Sequence, residues 1–429
     1  MGIFDPPQVK ITALPELTTL SAGDILPVVD VSDTSGGAAG TTKKITQSNL
    51  YNFGRYGDVA ALATHRAARS NRHSAPHKIL FIGHSFVEGS VSNVINECFV
   101  RRFRDLWRAR FPVVNASGVA SSVGGEGWVS DMQLWHPFTY TGGAVSRVSG
   151  ANSAPYGMGL YSSEMPVGST LSYTFTGTGV TVYTELRTGR GTLSASIDGG
   201  AAVTKSLVGV GFVDDMAPWV VATGLTPGTH TIVLTASVAL CYVDGLFITN
   251  GDDTTGTWVY NGGHGGATSR DFNRAASGAV SLWTGYAAKY IIPQTVIICG
   301  PYNDWRLGGG SSTVDPPSSL AQFQILIDTF NAVPSASPDP SIILINEWRG
   351  GSTTLQADYY GGTAGYDQYT ANMYTLEAQY PNVSILDLGL LVPPPFDDNA
   401  LGLVYGDFVH PNTKGHAFIA DMLVHLLAQ

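Results

Sequence analysis

At 429 residues the chain is longer than one ordinary core, so two or three domains are expected. Hydrophobic residues at 44% supply material for those cores, and 51 glycines with 23 prolines point to β structure and long loops rather than a helical bundle. Only 13% of residues are charged, and 33 acidic against 23 basic residues leave a net charge of −10, which excludes a general nucleic-acid binder with its basic face.

No apolar run approaches the roughly 20 residues that span a bilayer, so no membrane partner is expected. The opening MGIFDPPQVK lacks the basic stretch and apolar core of a secretion signal, so a soluble, cytosol-made protein is expected. Cys98, Cys241 and Cys299 are far apart in sequence and read as buried thiols, with neither a disulfide framework nor metal-ligand spacing.

Taken in chain order, residues 1–53 hold one short apolar stretch, Ile25 to Val29, and a Gly/Thr-rich turn, too little to form a core alone. Residues 54–76 are rich in Ala and Arg and read as a helical or flexible connector. Residues 77–140 and 250–429 alternate strand-like and helix-like signals. Five short apolar runs have the character of buried strands: HKILFIG, PVVNAS, TVIICG, SIILINEW and VSILDLG. Between them, apolar residues recur every three or four positions, as at Ile95, Phe99, Phe103 and Leu106, and again at Leu320, Phe323, Ile327 and Phe330. Residues 366–380 and 415–427 supply two more helices. Buried strands alternating with helices predict a parallel α/β sheet covered on both faces.

Residues 141–249 have period two instead, as in Leu171, Tyr173 and Phe175 or Leu193, Ala195 and Ile197, with turns at Asp198-Gly199 and Thr226-Pro227-Gly228. This predicts a β-sandwich inserted into the α/β domain. The domain plan is therefore 1–53, a connector at 54–76, the α/β domain in two parts at 77–140 and 250–429, and the inserted sandwich at 141–249.

Four segments carry chemistry. Ser85 directly follows the first strand, where open α/β sheets place their ligands and a helix N-terminus offers N–H groups to an oxyanion; a serine there serves equally well as an N-cap. In DFVHPN, Asp407 and His410 lie three residues apart, so one loop offers a base for a serine hydroxyl and a carboxylate to orient that base. In GPYND, Asn303 follows a strand and offers a neutral donor to an oxyanion, or an Asx turn. In NGGHGGATSRDF, a glycine lets the backbone approach an oxyanion.

In this order the segments resemble the blocks of the SGNH, or GDSL, hydrolases over roughly residues 77–429. Gly83-His84-Ser85 stands where that family has Gly-Asp-Ser, GGATS at 265–269 is similar to its second block, and GPYND and DFVHPN match the third and fourth. The resemblance implies a flavodoxin-like sheet of order 2-1-3-4-5 and a catalytic Ser85–His410–Asp407 triad without cofactor or metal. It also implies an oxyanion hole from the Ser85 and Gly266 N–H groups and the Asn303 side chain. His84 departs from the family's acid. Gly125, in VGGEGW, competes with Gly266, which lies nearer the family pattern. The inserted sandwich resembles the carbohydrate-esterase type, for which Trp305, Trp348 and Asp304 are expected at the substrate mouth. Trp128, Trp135 and Trp258 are expected in packing, and His416 on a helix surface.

Residues 9–53 resemble a segment at the start of bacteriophage tail-fibre and tailspike proteins. This implies a virion protein joined to tail or baseplate partners through its N-terminus, oligomeric and by expectation trimeric. Together the two resemblances imply a serine esterase that deacetylates bacterial surface polysaccharide. The alternatives are a polysaccharide-binding adhesin on an inactive hydrolase fold, and a lipase or thioesterase.

Overall fold

The computed structural model describes Ile25–Asp30, Thr41–Thr46 and residues 59–429, the last without 91, 93–96, 115–119, 122–124, 132–134, 136, 149–156, 210–213, 274–282, 308–313, 334–337, 352–358, 360 and 393–400. The chain divides into two units, Met1–Arg55 and Tyr56–Gln429. In the first, β1 (Ile25–Asp30) and β2 (Thr41–Thr46) form an antiparallel hairpin with Ile25 opposite Thr46. The rest of residues 9–53, on which the tail-fibre resemblance rests, lies outside the described residues.

The second unit opens with a helical turn, Val59–Leu62, and helix α1 (Ala63–Asn71). Leu62 and His65 are fully buried, so this part of the expected connector belongs to the α/β layer. Strand β3 (His77–Gly83) leads into the short α2 (Ser85–Glu88), and α3 (Phe99–Arg110) follows. Phe99, Phe103 and Trp107 form the buried stripe of α3, while Leu106 is 41% exposed; the repeat turns one residue further than the sequence spacing suggested.

PVVNAS does not join the parallel sheet. Its Val113–Val114 (β4) pair antiparallel with Ala120–Ser121 (β5). Strand β6 (Gly127–Val129) comes next, and then the sandwich. Its strands are β7 (Thr139–Thr141), β8 (Val145–Val148), β9 (Tyr161–Met165), β10 (Thr170–Gly177), β11 (Gly179–Leu186), β12 (Thr192–Ile197), β13 (Val203–Ser206), β14 (Asp214–Ala222), β15 (Gly228–Ser237) and β16 (Cys241–Thr249). They form two antiparallel sheets of order β13-β12-β15-β10-β7 and β14-β11-β16-β9-β8, with β6 added alongside β16. The alternating residues Leu171, Tyr173, Phe175, Leu193, Ala195, Ile232 and Leu234 fill the space between them.

The chain then returns to the α/β layer through β17 (Thr257–Gly263), α4 (Ser269–Phe272), α5 (Thr284–Ile291), β18 (Thr295–Cys299), α6 (Tyr302–Leu307), α7 (Pro316–Asn331), β19 (Ser341–Asn346), α8 (Gly362–Gln379), β20 (Val383–Asp387), α9 (Leu388–Leu391) and α10 (Thr413–Leu427). The sheet is wholly parallel, of order β17-β3-β18-β19-β20. Numbered among themselves along the chain, these five strands give 2-1-3-4-5, the expected order, with TWVYNGG in the place foreseen for PVVNAS. One face packs against α3 and α10 through Phe81, Phe103, Leu423 and Leu427. The other packs against α5, α7 and α8 through Leu80, Ile298, Phe323 and Met373.

That second core continues into the sandwich. The Phe247 ring stacks on Tyr260 of β17 with centroids 4.6 Å apart, and Trp128 meets Tyr183 edge-on at 5.1 Å. Met158, Leu160 and Met216 complete the contact. One face of the six-stranded assembly is thus apolar because the α/β layer covers it. All three cysteines are buried and free. Among the described residues no helix is long and apolar enough to cross a membrane.

Candidate active site

The topological switch of a 2-1-3-4-5 sheet lies beside its first strand, and loops leaving the strand ends converge there. Ser85 leaves β3, Gly266 follows β17, Asn303 follows β18, and Glu347 directly follows β19. Ser85 opens α2 and is 8% exposed. The approach of α2 to β17 dictates glycine at 263: a Cβ there would lie 2.1 Å from the backbone nitrogen of Glu88. The Asn261 side chain ties the same elements together by donating to the Val87 carbonyl at 2.9 Å.

His410 arrives from the loop before α10, with Nε2 2.9 Å from the Ser85 Oγ. Asp407 Oδ2 lies 2.6 Å from His410 Nδ1, and its Oδ1 accepts the backbone N–H groups of Val409 and His410 at 3.0 and 3.1 Å. A carboxylate at Nδ1 places the imidazole proton there and turns the Nε2 lone pair toward the serine. Burial pushes the Asp407 carboxyl upward, but the hydrogen bonds from His410 and from the Val409 N–H outweigh it and hold the group below its ordinary value. Sequence reasoning named these three residues, and the fold brings them into one hydrogen-bonded chain across 325 positions.

Gly266 has φ +79°, and a Cβ built on it would meet nothing within 4 Å, so open space lies before it. Asn303, 3% exposed, donates from Nδ2 to the Ala267 carbonyl at 3.0 Å, which fastens the Gly266 loop to the end of β18. An amide carries two N–H groups, and this bond uses one. Gly125 is placed elsewhere: its Cβ would press within 2.8 Å of the Ile248 carbonyl, and its own carbonyl accepts from Arg108 at 3.0 Å.

Trp305 and Trp348, expected at the substrate mouth, are fully buried. Trp305 donates to the Gly362 carbonyl at 3.1 Å and packs against Tyr359 and Tyr366. Trp348 donates to the Val409 carbonyl at 3.0 Å, so it steadies the peptide before His410. Asp304 is buried as well. It accepts the Ser269 N–H and hydroxyl at 2.8 and 2.6 Å and the Ser319 hydroxyl at 2.5 Å, and burial pushes its carboxyl up to about 6. These three residues support the loops from behind and offer no face to a sugar. His416 is likewise buried, accepting the Phe99 N–H at Nδ1 and stacking on the Phe99 ring; burial pushes it down to about 3.

Sequence reasoning missed Glu347. Buried completely, it lies 2.6 Å from His84 Nε2. The signal was present, since a carboxylate closing an otherwise apolar strand at the ligand-binding edge of a sheet needs a partner.

No protein-family model matches the chain, and no curated protein matches it. Among solved structures, one titled "Peptidoglycan O-acetylesterase in action, 5 min" is similar with a TM-score of 0.60 at 15% identity, covering 87% of this chain and 98% of the other. A family two carbohydrate esterase from Clostridium thermocellum in complex with cellohexaose is 15% identical, covering 66% of this chain and 97% of its own, with a TM-score of 0.28. The first likeness shows a shared fold: a parallel α/β/α layer carrying a β-sandwich.

Proposed function

We propose that the protein is a serine esterase that removes O-acetyl groups from a bacterial surface polysaccharide. One observation carries this reading: an unbroken hydrogen-bonded chain from Ser85 through His410 to Asp407, at 2.9 and 2.6 Å, at the ligand-binding edge of the sheet. In this mechanism the Ser85 Oγ attacks the ester carbonyl while His410 Nε2 takes its proton. Asp407 stabilises the resulting imidazolium. The oxyanion is met by the N–H groups of Ser85 and Gly266 and by the remaining amide hydrogen of Asn303. His410 gives its proton to the departing sugar oxygen, which leaves as a hydroxyl, then draws one from the water that attacks the acetyl-enzyme and passes it to the Ser85 Oγ as acetate leaves.

The neighbour titled a peptidoglycan O-acetylesterase makes O-acetylated peptidoglycan one polymer to test, beside acetylated capsule and lipopolysaccharide. The tail-fibre-like N-terminus supports a place on a phage tail, in an oligomer, by proposal a trimer. The test compares wild type with Ser85→Ala on a small aryl acetate and on acetylated polymers. Acetate release by wild type, lost in the variant, is expected. Turnover that survives the substitution would refute the serine mechanism, and polymer binding by a wild type without turnover would identify an adhesin. The chain length accepted in aryl esters separates an acetylesterase from a lipase.

A further inference from the structure

Two imidazoles face the Ser85 hydroxyl, and the proposed reaction uses only one. His84 Nδ1 lies 3.3 Å from the Ser85 Oγ, on a ring that is 1% exposed. Its Nε2 is 2.6 Å from Glu347 Oε1. Glu347 is held in turn by the Tyr302 N–H on Oε2 and the Cys299 thiol on Oε1, each at 3.2 Å. The cluster therefore joins the ends of β3, β18 and β19 directly beneath the serine.

The protonation pattern follows from the partners. Glu347 Oε1 accepts, so Nε2 carries a hydrogen. The Phe86 N–H points at Nδ1 from 3.4 Å, so Nδ1 presents a lone pair. That lone pair caps the first turn of α2 and also offers the Ser85 hydroxyl a second acceptor. A metal reading of His84, Cys299 and Glu347 fails on geometry. Atoms that share an ion at 2.0–2.3 Å stand about 3 Å or more apart, whereas Nε2 and Oε1 are already in hydrogen-bond contact. Burial and the neighbouring Glu347 also push the Cys299 thiol far up, so it stays protonated.

We propose that His84, oriented by Glu347, is a positioning residue for the nucleophile, holding the Ser85 hydroxyl and the start of α2 so that Oγ stays in line with His410. Before attack the hydroxyl has two acceptors, His410 Nε2 at 2.9 Å and His84 Nδ1 at 3.3 Å, and the second confines the arc through which Oγ can swing away from the first. Glu347 keeps the His84 proton on Nε2, as Asp407 keeps that of His410 on Nδ1. This inference rests on the esterase reading and assigns a role to the residue that departs from the family's acid.

The experiment measures kcat and KM on an aryl acetate, serine labelling by a fluorophosphonate, and thermal unfolding for His84→Ala, His84→Asn, Glu347→Gln and the double variant His84→Ala/Glu347→Gln. Displacement of a reacting group by about 1 Å costs on the order of 10²-fold in rate, so His84→Ala is expected to lower kcat by roughly that factor with KM within about threefold. Asparagine is a good N-cap but too short to reach Glu347, so His84→Asn is expected to restore melting temperature without restoring kcat. Glu347→Gln is expected to lower kcat, and the double variant to be no worse than the poorer single one, because the two act as a unit. Full kcat in His84→Asn would reduce His84 to a helix cap and overturn the proposal, as would additive effects in the double variant. A wild type that neither hydrolyses the ester nor takes the label overturns the esterase reading, and this inference with it. A wild type that does both, beside His84 variants within about threefold, overturns this inference alone.

Discussion

Replacing Thr295 by valine changes almost no volume and suits a buried strand, yet it is expected to be one of the more damaging single substitutions in the chain. Thr295 starts β18, and its hydroxyl lies 2.8 Å from His65 Nδ1 and 3.0 Å from His77 Nε2, all three residues being fully buried. The Leu427 carbonyl, 3.1 Å from His65 Nε2, requires a hydrogen on that nitrogen, so His65 Nδ1 must accept from the threonine. The hydroxyl then has only its lone pairs left for His77, which must donate from Nε2. Valine deletes the one group able to donate to the first ring and accept from the second. Two buried polar atoms are orphaned, at about 1–3 kcal/mol each, so the expected loss is roughly 2–6 kcal/mol out of the 5–15 kcal/mol typical of a folded protein. β-Propensity does not offset this, since valine and threonine are both favoured in strands. The assay is urea unfolding at pH 7, reading a lower midpoint at unchanged slope. A loss below about 1 kcal/mol would refute the relay and its tautomers. The same pair sets an acid sensitivity. Burial, helped by Arg69 and Arg72, pushes His77 down to about 3, and burial beside His77 pushes His65 well below its ordinary value. The folded state then binds fewer protons than the unfolded chain. The stability from His77 is complete above its unfolded value of about 6.5 and lost toward pH 3, at about 1.4 kcal/mol per pH unit.

Other expectations concern the site. Asp407→Asn keeps an acceptor for the Val409 and His410 N–H groups but sets an amide against Nδ1 and selects the wrong tautomer. By analogy with other Ser–His–Asp sites, kcat on an aryl acetate should fall about 10⁴-fold with the melting curve little changed. Gly263→Ala drives a Cβ into the backbone of Glu88 and should displace α2 with its serine, seen as lost turnover and a lower melting temperature. Gly406→Ala, beside Asp407 but facing open space, should leave the fold intact. Trp348→Phe removes the donor to the Val409 carbonyl and should cost roughly 2–4 kcal/mol in chemical denaturation, while lowering kcat more than it changes KM.

Much of the site was legible because its residues occupy punctuated positions. Ser85 follows a buried strand, and Asp407 and His410 share one loop, so chemistry and order alone suggested their roles. The supporting residues were harder. Trp305, Trp348 and Asp304 stand next to loop motifs in sequence, which suggested a surface; their side chains instead point back into the layer, a direction that no spacing in a loop encodes. His416 was misplaced for a related reason. Its neighbours on α10 include polar residues, and only the docking of α3 across that helix buries it.

The pattern of apolar runs by itself determined an α/β layer, a period-two insertion and the order in which four chemical segments meet the sheet edge, because periodicity is local and survives in a linear string. Tertiary structure decided the rest. TWVYNGG rather than PVVNAS became the second strand, since pairing depends on what lies alongside, and glycines 262 and 263 tolerate the close approach of β3 and α2. The sandwich packs on the α/β layer through Phe247, Trp128 and Tyr183, which sequence could only call apolar. The link between His84 and Glu347 spans 263 positions and unites the ends of two strands that are not neighbours in the sheet. A buried hydrogen bond of that kind is a property of three-dimensional proximity, and its partners become recognisable only when the chain has brought them within 3 Å.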